Sequence, residues 1–295
     1  MPDLRDMELL ASLARNKHFA RAAAECGISQ PAFSARIRNL ELDLGAPIVL
    51  RSNRFVGFTA EGEIALKWAN QMIADARGLK QEINHARGAL TGWLTIGAVP
   101  TALSFVATIA ADLRSAHPAL VLRVLSYSST EIAQGLENFS LDAGVTYLES
   151  TLPAGSQVQP AYVERYELLA PNTMAPRDQT AISWADAAPI PLCLLPRNMM
   201  NRRFMDEAFE AANAVPNMVM ETNAFTAALV QVTSGTAATI APEMLIEHTT
   251  LPDSVARLKL TDPLIEKPIS FVTPEREPRM PAVDAMIAAL HDASR

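Results

Sequence analysis

Residues His18 to Arg54 constrain this chain more than any other stretch. Phe33, Ile37, Leu40 and Leu44 recur at steps of four, three and four, which is the apolar stripe of a helix. Gln30, Ser34 and Arg38 form the opposing polar edge at steps of four. Ser29 stands as the N-cap, Pro31 falls in the first turn where a missing N–H costs nothing, and Gly45 stops the helix. An alanine-rich helix over Phe19–Glu25 precedes it, joined by the turn Cys26-Gly27-Ile28. Two such helices across a short glycine turn form a helix-turn-helix pattern. A first helix, Leu4 to Ala14, leads into the pair. Behind it, Ile48-Val49-Leu50 and Phe55-Val56-Gly57-Phe58 flank Arg51-Ser52-Asn53-Arg54, which reads as a hairpin with a basic tip.

Charge is split along the chain. Between Arg15 and Phe58 stand seven basic and three acidic residues, a net of +4. The whole chain carries −7, so the remainder holds −11. A phosphate backbone would be drawn to one end and repelled by the other. No apolar run approaches the ~18 residues of a membrane span, and no apolar leader core follows the charged start, so a cytoplasmic location and no membrane partner are expected. Cys26 and Cys193 lie in unrelated contexts and read as structural. His18, His85, His117, His248 and His291 are scattered without metal spacing, and neither a phosphate loop nor a G-x-S-x-G elbow occurs, so no enzyme, cofactor or metal is expected.

From Thr59 a long helix runs to about His85. Ala65, Trp68, Met72, Ala76, Leu79 and Ile83 form a near-heptad seam that suits pairing with a second copy. The competing reading is one long helix packed on its own domain. After Thr91-Gly92 the rhythm becomes strand and helix in alternation, implying a mostly parallel sheet flanked by helices. Strands are expected at Leu94–Ala98, Leu120–Ser126, Leu141–Tyr147, Tyr162–Ala170, Ile190–Leu195, Met218–Thr222, Ala238–Ala241 and Ile269–Thr273.

The run from His18 to Arg51, with F-T-A-E-G-E after it, resembles the DNA-binding domain of LysR-type transcriptional regulators, most specifically in S-Q-P-A-x-S-x-x-I-x-x-L-E-x-x-L-G over Ser29 to Gly45. The resemblance extends over the whole chain through G-W-L-T-I-G-A-V-P after the long helix. It implies an α/β chain with a winged helix-turn-helix at 1–58, a linker and dimerisation helix at 59–90, and a periplasmic-binding-protein-like effector domain at 91–295. That domain would hold two α/β subdomains, one of about 91–160 and 266–295, the other of about 161–265, with ligand between them. Two departures stand out: Val49-Leu50 where the family usually has Leu-Phe, and Ser234-Gly235-Thr236-Ala237-Ala238 where many members have a G-x-G-I turn. The second weakens transfer of ligand contacts at that corner.

The expected DNA-contacting residues are Ser29, Gln30, Pro31, Ala32, Ser34, Arg36, Arg38, Arg51 and Arg54. Gln30 suits adenine, Pro31 and Ala32 a thymine methyl, and Ser34 a base or a phosphate. Arg36 and Arg38 suit phosphates, or guanine if they face the groove, while Arg51 and Arg54 suit an adjacent minor groove. Ligands in open α/β sheets sit at strand carboxyl ends near helix N-termini. There the chain has Pro100, Thr101, Ser128, Ser129, Thr130, Arg197, Asn198, Thr222 and Asn223, with Tyr147 ending a strand. Each is either a helix cap or a contact to a small anionic effector. The expected partners are a promoter inverted repeat of double-stranded DNA, that effector, further copies in a homodimer or homotetramer, and RNA polymerase if the protein activates. The rival readings are a ligand-carrying protein with an added helical N-terminus, disfavoured by the +4 segment, and an α/β enzyme, disfavoured by the missing catalytic constellation.

Overall fold

The computed structural model describes residues 2–51, 55–148 and 152–293. Three helices open the chain: α1 (Leu4–Asn16), α2 (Phe19–Glu25) and α3 (Gln30–Leu44). Asp3 and Asp6 form a reciprocal capping box on α1, and the Ser29 hydroxyl accepts from the Ala32 N–H at the start of α3. Gly45 ends α3 at φ 69°, a left-handed turn that favours glycine. Phe33, Ile37 and Leu40 are fully buried against Leu9, Leu10 and Leu13 of α1 and Ala22 and Ala23 of α2. The small residues of α2 allow this close approach. Two short antiparallel strands follow, β1 (Val49–Arg51) and β2 (Phe55–Phe58).

Helix α4 (Ala60–Ala86) starts where Thr59 caps it, with Oγ1 accepting from the Gly62 N–H at 2.9 Å. Leu66 and Ala69 bury one face of α4 in the core of the first three helices. The helix start passes the backbone just before β1 so closely that a Cβ on Gly62 would stand 2.0 Å from the Ile48 carbonyl oxygen. That neighbour is backbone and cannot swing aside. Gly62→Ala is therefore expected to destabilise the N-terminal domain by about 3 kcal/mol, the upper end of overpacking costs, read as a lowered denaturant midpoint.

Two α/β sheets make up the remainder. The first has the strand order β4-β3-β5-β13-β6 and the second β10-β9-β11-β7-β12-β8. In chain order the elements are β3 (Gly92–Ala98), α5 (Leu103–Ala116), β4 (Leu120–Ser126), α6 (Ser129–Glu137), β5 (Ala143–Tyr147) and β6 (Gln157–Glu164). Next come β7 (Tyr166–Pro171), β8 (Ala181–Ser183), α7 (Trp184–Ala187), β9 (Leu192–Leu194), α8 (Met200–Ala211), β10 (Met218–Glu221), α9 (Phe225–Thr233), β11 (Ala238–Pro242) and α10 (Glu243–Glu247). The chain closes with β12 (Val255–Thr261), β13 (Lys267–Thr273) and α11 (Pro281–Ala293). β3 pairs in parallel with β4 and β5, and β9 with β10 and β11. The returning strand β13 is antiparallel to β5 and β6.

The expected single strand Tyr162–Ala170 is two strands in different sheets. β6 ends at Glu164 in the first sheet and β7 begins at Tyr166 in the second. Arg165 between them is exposed, and it pairs at 2.7 Å with Glu266, just before β13. The two chain crossings between sheets are thus linked by one ion pair. Strands β8 and β12 were not anticipated, although Arg257-Leu258-Lys259-Leu260 alternates as a half-buried strand does.

Candidate functional site

Helix α3 presents the polar edge that its spacing dictates. Gln30, Pro31, Ala32 and Arg38 are exposed and Ser34 is half-buried, while Phe33, Ile37 and Leu40 of the opposite stripe are buried and Leu44, at its end, is exposed. Ser29, beside them, is occupied as the cap. Arg36 departs from expectation. Its Nε donates to Asp6 at 2.9 Å, and its terminal nitrogen donates to both Asp3 carboxylate oxygens at 3.1 and 3.0 Å. The hydrogen bond to Asp6 is the main cause holding the guanidinium above its ordinary pKa. Arg36 thus fastens α3 to the start of α1 rather than standing free for a phosphate. The Arg51 side chain and all of Arg54 lie outside the described residues.

On α4, Ile64, Trp68, Met72, Leu79 and Ile83 are large apolar side chains left exposed, with Trp68 and Leu79 at 56% and 62%. They continue along one edge of the helix while Leu66, Ala69 and Ala74 on another face are buried. Ala65 and Ala76 of the expected seam are half-buried.

Between the two sheets, β5 ends in Tyr147, which is buried rather than lining an open cleft as expected. Its hydroxyl donates to Glu164 at 2.6 Å and lies 3.0 Å from the hydroxyl of buried Thr101. The Tyr166 hydroxyl donates to the same Glu164 oxygen at 2.5 Å, and Tyr162 approaches the other at 3.5 Å. Phe204 of α8 meets the Tyr147 ring edge-on at 5.1 Å, and the Lys267 ammonium stands 4.0 Å over the Phe204 ring. Elements of both sheets therefore close on one polar cluster beside the crossing at Arg165.

Burial pushes the Glu164 carboxyl above the usual carboxylate range, against the tyrosine hydroxyls that favour its charge. Burial likewise raises the Tyr147 and Tyr166 phenols. A carboxyl with a raised folded pKa contributes stability that is fully present below its unfolded pKa and lost as pH rises through the folded one. Glu164→Gln is expected to remove that loss. The variant should gain on the wild type progressively above the ordinary carboxylate range, measured as denaturant midpoints across a pH series.

Caps account for part of the other expected effector positions. Ser128 forms a capping box with Glu131, and Thr222 accepts from the Ala224 N–H at 3.2 Å. Thr130, Asn198 and Asn223 are exposed, Pro100 is half-buried, and the exposed Arg197 pairs with Asp206 at 3.4 Å. Ser129 Oγ on α6, Ser104 Oγ on α5 and Asn201 Nδ2 on α8 are buried polar atoms without a hydrogen-bond partner among the described residues. All three sit in first helical turns, where backbone N–H groups attract anions. Glu164, Phe204, Lys267, Ser104 and Asn201 were not anticipated. The one available signal was the charged step Glu164-Arg165-Tyr166-Glu167 between Ala161-Tyr162-Val163 and Leu168-Leu169-Ala170. Among the described residues no cluster suits a metal ion, and no helix is long and apolar enough to cross a membrane.

Comparison with known proteins bears on both regions. Residues 4–63 match the family described as bacterial regulatory helix-turn-helix protein, lysR family, and residues 87–295 match the LysR substrate binding domain. The hydrogen peroxide-inducible genes activator of Haemophilus influenzae is 33% identical over 144 residues, which is 48% of each chain. The regulator IlvY of Escherichia coli is 26% identical over 254 residues, 85% of each. Among solved structures, a full-length OxyR variant from Pseudomonas aeruginosa has a TM-score of 0.77 at 21% identity, covering 99% of this chain and 95% of that one. Full-length CbnR complexed with its target DNA has a TM-score of 0.69 at 20% identity, covering 99% and 100%. At such identities these structures establish the shared fold.

Proposed function

The chain belongs to the lysR family of bacterial regulatory helix-turn-helix proteins, and on that premise we propose that it is a ligand-responsive, DNA-binding transcriptional regulator. Residues 1–58 are the winged DNA-binding domain, 59–90 the linker and dimerisation helix, and 91–295 the effector domain. Helix α3 enters the major groove with Gln30, Pro31, Ala32, Ser34 and Arg38, and the wing brings Arg51 and Arg54 to the neighbouring minor groove. Two copies join along α4, and dimers associate in pairs on DNA in the cytoplasm. Where the protein activates, RNA polymerase is a further partner.

The effector is a small anion held between the two sheets. The unpartnered atoms of Ser129, Ser104 and Asn201 offer it hydrogen bonds, and the Tyr147–Glu164 cluster lies beside the crossing it would bias. A ligand moves this arrangement only if it binds one placement of the sheets better than the other. A peroxide-sensing thiol switch is not part of this reading. Cys193 is buried with its thiol pushed up, Cys26 belongs to the N-terminal core, and both are free.

The observation that carries the proposal is the exposed edge of α3 on a helix that buries Phe33, Ile37 and Leu40 on its other face. Selection from random duplex DNA by the full-length protein tests it. The expected product is an inverted repeat with half-sites about one helical turn apart, or a multiple of that. Direct repeats or unenriched sequence would overturn the reading.

A further inference from the structure

A cavity of about 330 Å³ lies where three parts of the chain meet. Arg15 of α1, Arg77 of α4 and Arg123 of β4 all line it, together with Asn70, Tyr127 and Asn138. No aspartate or glutamate is among its described lining residues. Three arginines thus stand together in a chain whose net charge is −7. Each arginine is fixed by a different neighbour. Arg15 pairs with Glu25. Arg77 reaches buried Asp142 at 3.3 Å, and the other oxygen of Asp142 accepts from the Thr95 N–H at 2.8 Å. The Arg123 guanidinium carbon stands 4.8 Å over the Trp93 ring centroid, a contact that uses the cation's charge and leaves its N–H donors for another partner. The Nε of Arg77 is buried and has no hydrogen-bond partner among the described residues. Two carboxylates thus answer three guanidiniums, and neither carboxylate lines the cavity.

We infer that this cavity is a second small-molecule site, separate from the space between the two sheets, and that it takes a compact multivalent oxyanion. Its volume falls at the small end of the range for ligand pockets. A phosphoryl or polycarboxylate group carries enough acceptor oxygens to meet guanidinium forks that come from three separate elements. Because the arginines come from the DNA-binding domain, the linker helix and the effector domain, the bound anion would fix their relative placement. By linkage, DNA and anion would then alter each other's affinity.

Calorimetric titration of the full-length protein without DNA tests the site apart from the transcriptional reading. Inorganic pyrophosphate and citrate are the probes, at ionic strength held constant with sodium chloride. Saturable binding of one anion per chain is expected, and the tighter probe assigns the phosphoryl or the carboxylate class. Arg123→Gln should weaken binding roughly tenfold to a hundredfold, since it removes charge-assisted hydrogen bonds. Arg123 is exposed, so the fold should survive that change, and Arg123→Lys should retain part of the affinity. Arg38→Gln, on the α3 edge, should leave binding unchanged. No saturable heat with either probe would overturn the site, as would full affinity in Arg123→Gln or loss of affinity in Arg38→Gln.

Discussion

Replacing both Trp68 and Leu79 with glutamate is expected to turn the protein into a monomer and to lower its affinity for an inverted repeat by roughly 10²- to 10⁴-fold. Both side chains are more than half exposed within the chain, on the edge of α4 that Met72 and Ile83 share. Burying a large apolar side chain contributes about 1.5–3 kcal/mol, and a two-fold interface counts each position twice. Glutamates there would instead set like charges against one another across the axis. The expected loss on DNA is the avidity that comes from tying two half-site readers together. Thermal unfolding of the N-terminal domain should change little, because α4 is anchored to it through Leu66 and Ala69 on another face. Sedimentation and half-site titration separate the two effects. A double variant that remains dimeric would show that another surface joins the copies.

The second large effect is expected from Gln30→Ala. A bidentate glutamine–adenine contact discriminates by about 1–3 kcal/mol, and a dimer makes it in both half-sites. Affinity for the preferred site should therefore drop by roughly 30-fold to 10⁴-fold, with preference relaxed at one position per half-site. Gln30 is exposed and Ser29 supplies the cap of α3, so stability should be nearly untouched. Changes at Arg38 should differ in kind, weakening all sequences alike and flattening the dependence on salt. If Gln30→Ala binds with unchanged base preference in selection, this edge of α3 does not read the sequence.

What the sequence revealed follows from how local each feature is. The caps at Ser29 and Thr59, the stop at Gly45, and the stripes of α3 and α4 are set by residues within a turn or two of one another, and each appears where its spacing places it, save that Leu44 at the end of the α3 stripe is exposed. The sheet change at Arg165 was hidden because the charged residues Glu164, Arg165 and Glu167 also fit one continuous half-exposed strand, and periodicity does not register a change of sheet. Arg36 looked free because its partners, Asp3 and Asp6, are about thirty positions away. The cluster around Glu164 is less visible still. Tyr147 reaches it across the sheet, Tyr166 comes from the next strand, and Phe204 arrives on a helix of the other sheet. Contacts built from separate sheets leave no spacing to read, so Thr101 and Tyr147 were legible as strand-end residues while Glu164, which joins them to the second sheet, was not.

The central claim is that DNA grip and ligand occupancy are coupled in one dimer. Footprinting of the full-length protein on the DNA upstream of its own gene, with and without a series of small carboxylates, tests it most directly. The account predicts salt-sensitive protection over an inverted repeat, whose extent or bend is altered by a particular carboxylate and not by equivalent chloride. Absence of protection at any inverted repeat, or a protected region that no carboxylate changes, would contradict it.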